Sequence, residues 1–97
     1  MTEQRQPEAV PLDAVVVFTQ YIHFVSHDPT KNRHRFYLLS WQPTLDGTRV
    51  RMCTWGRLGT QGRARVLCAA HQPNAQEIIA RIIRRRLQRG YQVTAWQ

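Results

Sequence analysis

Residues 54–65 read "TWGRLGTQGRAR", with glycines at 56, 59 and 62. A helix cannot easily run through this stretch, because each interior glycine costs about 1 kcal/mol relative to alanine. The flanking segments, "RVRMCTW" (49–55) and "RARVLCAA" (63–70), read as strands. The stretch is therefore a hairpin connection. A tight hairpin needs one or two glycines, whereas this one has three beside Trp55 and Arg57. Glycine admits positive φ and lets another molecule approach the backbone. In one reading Gly56 and its fellows leave Trp55 and Arg57 clear of the sheet. Trp55 would then stack on a base or sugar and Arg57 would grip phosphate. In the other reading Trp55 folds back as a plug for a small core.

The chain length, 97 residues, suits one domain. Residues 1–13, with two prolines and mostly polar side chains, read as a flexible lead-in to a single domain over 14–97. From Ala14 branched and aromatic residues predict a strand through Val25. Residues 26–32 read as a loop around Asp28-Pro29, 35–41 as a second strand, and Asp46-Gly47 as a turn. After strands at 49–55 and 63–70 the period changes. Ala75, Ile78, Ile79, Ile82, Ile83 and Leu87 form one stripe of a helix. Asn74 and Glu77 are spaced as a capping box, and Gly90 stands at C′. Residues 91–96 predict a last strand. The expected fold class is α+β: an antiparallel sheet of about five strands with one amphipathic helix packed on one face.

Fourteen basic residues against six acidic ones give a formal net charge of +8, and all the bases but Lys31 are arginine. Arginine is always charged and binds phosphate with a planar fork. This balance points to a polyanionic partner, with solubility as the plainer explanation. Alternation along 49–55 predicts Val50 and Met52 inside, with Arg49, Arg51 and Trp55 on the outer face. Arg63 and Arg65 share a face of the next strand. A basic stripe with an aromatic beside it can track a nucleic-acid backbone. The arginines of "RIIRRRLQR" (81–89) suit a helix C-terminus and read first as a solvated face opposite the isoleucines.

Other chemistry finds no constellation. Cys53 and Cys68 form no CxxC pair, and the histidines at 23, 27, 34 and 71 show no ligand spacing, so no metal site is expected. The two cysteines could be cross-strand neighbours but are expected to be free thiols. No nucleophile is placed with a base, so no catalytic residues and no cofactor are expected. The longest apolar run, "AVVVF" (14–18), is too short to span a bilayer, and a cytoplasmic location is expected.

"WGRLGTQG" (55–62) resembles the signature of the WGR domain. "NRHRFYLLSW", with Asn32, Phe36 and Tyr37, resembles that family's preceding strand, and "RGYQV" resembles the end of its last helix. The resemblance covers roughly residues 20 to 95. In DNA-dependent poly(ADP-ribose) polymerases such a domain binds DNA strand breaks. The resemblance thus implies a non-enzymatic DNA-binding module, for DNA rather than RNA, with Trp55 on a terminal sugar. Arg57 would contact phosphate or a protein partner, and Asn32, Arg33 and Arg35 would lie beside the break. The chain has no room for the catalytic domain of those enzymes and is similar instead to free-standing bacterial proteins of the family.

Overall fold

Ile22, Phe24 and Ser26 are buried while their neighbours are half-exposed, which is the period-two signature of a strand covered on one face. The computed structural model describes residues 18–69 and 71–97. Its strands are β1 (Tyr21–Asp28), β2 (Arg33–Pro43), β3 (Arg49–Arg57), β4 (Arg63–Ala69) and β5 (Gln92–Trp96). They form one antiparallel sheet in the order β4-β3-β2-β1-β5. Helix α1 (Ala75–Gln88) links the two edge strands. The α+β expectation holds. The proposed lead-in at 1–13 and the strand onset at 14–17 lie outside the described residues.

Cross-strand register assigns the two faces. Ile22, Leu39 and Cys53 stand opposite one another, and Phe24, Tyr37 and Trp55 form the next row. Ile79 and Ile83 of α1, both fully buried, close the core with Ile22, Phe24, Leu39, Cys53 and Val93. Each large apolar side chain so covered contributes about 1.5–3 kcal/mol. The other face carries Phe36, Leu38, Val50, Met52 and Val66. Val66 is 57% exposed, and no described element packs as a layer over this side.

Several expectations change here. The predicted phase of β3 is reversed: Arg51 and Cys53 are buried on the helix side, and Val50 and Met52 face the open side. Both faces of this sheet are apolar, so hydrophobicity alone does not select the covered one. The 26–32 loop is shorter than predicted. β1 and β2 pair as far as Asp28 and Arg33, leaving a single 3-10 turn, Pro29–Lys31. Asn74 makes no side-chain cap hydrogen bond; its Oδ1 instead accepts from Gln72 Nε2 at 2.9 Å. Leu87 is 38% exposed rather than part of the buried stripe. Cys68 stands opposite Arg51, not Cys53, and both thiols are free.

The end of α1 matters for the site. Gly90, at φ +89°, lets the chain reverse. Its N–H donates to Leu87 O, and Tyr91 N donates to Arg86 O at 3.0 Å. This paired pattern is a Schellman motif. It returns Tyr91 toward the last turn of the helix, beside Arg86.

Candidate nucleic-acid interface

The glycines of the 54–65 hairpin have different tasks. Gly59 takes φ +88° at the turn, with open space around it. Gly56 and Gly62 face each other across the hairpin, and a Cβ on Gly56 would lie 2.8 Å from Gly62 Cα. Bare backbone lets the two arms close over Phe36. The hairpin is then tied to its neighbour, because Leu58 N donates to His34 O at 2.8 Å. Thr60 holds the bend through N and Oγ1, both donating to Arg57 O. The glycines therefore compact the hairpin; they do not set Trp55 free. Trp55 is half-buried and packs at the rim of the core.

From that rim Trp55 lines a cleft of about 620 Å³ on the helix side of the sheet. Its walls are Tyr37, Cys53, Trp55 and Tyr91, with Phe36 and Gly56 at the hairpin. Four arginines complete it: Arg35, Arg57, Arg65 and Arg86. Among the described residues no acidic side chain lines it. Arg35 and Arg57 are direct cross-strand partners. Like charges so placed repel, and an anion between them relieves the repulsion. Among the described residues the acids are Asp28, Asp46 and Glu77, placed at turns and in the first turn of α1.

Arg86, together with Tyr91, is what sequence reasoning missed. Its guanidinium lies 4.7 Å from the centroid of Tyr37 and 5.3 Å from that of Tyr91. The two tyrosine rings meet edge to face at 6.4 Å. These contacts favour the cation, while its buried Nε has no hydrogen-bond partner among the described residues. Burial raises the Tyr37 hydroxyl pKa well above the ordinary tyrosine range, and contact with Cys53 adds to that shift. Tyr37 therefore stays neutral beside the arginines. A signal was present in the sequence: Arg86 follows Ile79 and Ile83 at helical spacing, on the flank of the covered stripe.

Five of the eight expected site residues thus share the cleft: Arg35, Trp55, Gly56, Arg57 and Arg65. The other three lie outside its lining. Asn32 ends the 3-10 turn at φ 51°, a left-handed conformation that asparagine tolerates. Arg33 pairs in register with Asp28. Arg63 stands opposite Trp55.

The profile of the WGR domain matches residues 20–95. The chain belongs to the WGR domain family. This family occurs in nucleic-acid-binding proteins related to poly(ADP-ribose) polymerases. An uncharacterized protein of Sinorhizobium fredii, y4dW, is 30% identical over 91 residues. The alignment covers 84% of this chain and 45% of that protein, so the chain spans about half the relative's length. No solved structure matches. Among the described residues, no helix is long and apolar enough to cross a membrane.

Proposed function

We propose that this WGR domain is a non-enzymatic module that binds duplex DNA and prefers ends or nicks. The observation that carries the reading is the cleft: four arginines and, among the described residues, no acid around Trp55, with Arg35 directly opposite Arg57. Duplex phosphates supply the missing charge, and Trp55 supplies an edge for a terminal sugar or base. An internal nucleotide is already stacked on both sides, so an aromatic wall gains a partner only where the duplex is interrupted. In a bacterial cell the module works in the cytoplasm, on the nucleoid.

The test compares a blunt or nicked duplex with a closed dumbbell of the same sequence, by anisotropy at one salt concentration. Tighter binding to the open DNA is expected. Equal affinities overturn end recognition. Log affinity should also fall with log salt by about 0.9 per phosphate contacted. Absence of salt-dependent binding to any duplex overturns the nucleic-acid reading.

A second reading has its own observation. Leu58, 37% exposed, follows the exposed Arg57 at the hairpin. An apolar tip beside a cation suits docking of a protein partner through Arg57. DNA binding that is lost in Arg57→Ala but kept in Leu58→Ser favours the first reading.

A further inference from the structure

His27 and His34 are seven residues apart, and no motif joins them in the sequence. The β1–β2 register makes them direct cross-strand partners. Their Nδ1 atoms lie 2.9 Å apart, with ring centroids at 4.6 Å and planes inclined by 51°. The pair is set at the solvent-facing end of the sheet, away from the Trp55 cleft, whose lining contains no histidine. Two imidazole nitrogens at this separation either share one proton or share one cation.

We propose that His27 and His34 form a two-imidazole chelate for a divalent transition-metal ion of the nickel or copper type. Metal–imidazole bonds are about 2.0–2.1 Å. Donors 2.9 Å apart then subtend roughly 90° at the ion. That angle suits adjacent positions of a square-planar or octahedral ion, the geometry of Cu²⁺ and Ni²⁺. A tetrahedral Zn²⁺ asks for about 109°, and hence for donors roughly 3.3 Å apart. The ion replaces the shared proton, and small swings of each ring about the Cβ–Cγ bond turn both lone pairs onto it. No third His, Cys, Asp or Glu joins the pair among the described residues, so water fills the remaining positions.

The placement gives the ion a structural consequence. His27 and His34 bracket the 28–33 turn, which carries Asn32 and Arg33. The carbonyl of His34 also holds Leu58 N of the glycine hairpin. A cation on the pair staples the ends of β1 and β2 at the point where that hairpin is anchored.

Calorimetric titration of the untagged protein with NiCl₂ tests this. One Ni²⁺ per chain is expected, with Zn²⁺ binding more weakly. His27→Ala and His34→Ala should each weaken Ni²⁺ binding by roughly ten- to a hundredfold, because each removes one arm of the chelate. Ni²⁺ should raise the melting temperature of the wild type and leave both variants unmoved. On wild-type protein, paramagnetic Ni²⁺ should broaden the ring resonances of His27 and His34 before those of His23 and His71. Unchanged affinity in either variant, broadening that begins at other histidines, or no binding by the wild type at millimolar Ni²⁺ overturns the proposal.

Discussion

Gly62 lies against the carbonyl of Trp55: a Cβ on Gly62 would stand 2.3 Å from Trp55 O and 2.8 Å from Phe36 Cζ. The first atom is backbone, and it cannot swing away. Gly62 also sits at φ +72°, where an L side chain is strained. Gly62→Ala should therefore cost at least about 2–4 kcal/mol. Gly59 has the same sign of φ but nothing within 4 Å, so Gly59→Ala should cost only about 1–2 kcal/mol. Urea unfolding of both variants checks the ordering. Equal losses would mean that the close contact across the hairpin does not form.

Trp55 is both rim of the core and wall of the cleft. Trp55→Ala should then lower stability by about 1–2 kcal/mol, since only part of the ring is buried. It should also erase most of the difference between open and closed DNA, a stacking term of about 1–3 kcal/mol. Trp55→Phe should keep part of each. Stability and anisotropy measured on the same preparations separate the two effects. A stability loss with unchanged discrimination would make Trp55 a core residue alone.

The strands, the helix and the turn at Asp46-Gly47 were legible because each rests on local periodicity or turn chemistry. The face of β3 was not. Met52 and Val50 look like core residues, yet the unbroken pairing with β2, opposite Ser40 and Gln42, puts them on the open side. Tertiary pairing also carried β1 through His27 and Asp28, which read as loop. Trp55, Arg57 and Arg65 announced themselves beside the glycines. Arg86 and Tyr91 did not, because they join the cleft through the reversal at Gly90.

The β2–β3 turn has its own pH dependence. The Asp46 carboxylate accepts hydrogen bonds from the Thr44 hydroxyl and from the Thr48 hydroxyl and amide. These bonds, Thr44 first, hold its pKa down at about 2. In the unfolded chain an aspartate titrates near ~3.9. A depressed folded pKa stabilises the fold above the unfolded value, and that contribution is lost as pH falls from about 4 through 2. Asp46→Asn should flatten the stability profile in this window and leave it parallel to wild type above pH ~5. A wild-type Asp46 that titrates at its unfolded value by NMR would remove the argument.

Arg51 is 5% exposed, and its Nε and Nη1 have no hydrogen-bond partner among the described residues. Its guanidinium is held instead over Trp41 at 4.2 Å and Phe18 at 5.4 Å. Desolvation of an unpaired cation is costly, and the ring contacts return only part of it. Arg51→Met fills the same space without the charge. It should be neutral or stabilising by up to about 2 kcal/mol, whereas Arg51→Ala should destabilise through lost packing. Thermal melts of the pair decide this. A destabilised Arg51→Met would show that the cation–ring contacts outweigh the burial.

Arg86 differs from its neighbours in what surrounds it. Arg84 and Arg85 are exposed, whereas Arg86 lines the cleft between Tyr37 and Tyr91. A charge set among aromatic walls is less screened than one on an open helix face. Arg86→Met keeps the stem against the tyrosines and removes only the charge. It should weaken DNA binding by about 1–2 kcal/mol, or roughly 5- to 30-fold. The slope of log affinity against log salt should fall by about 0.9, as expected for one lost phosphate contact. Replacing Arg84 and Arg85 together with alanine should reduce affinity less, and equally for open and closed DNA. Anisotropy at several salt concentrations distinguishes the outcomes. If Arg86→Met keeps both the affinity and the slope of the wild type, its guanidinium serves only to pack the two tyrosines, and the phosphate must be held by Arg35, Arg57 and Arg65.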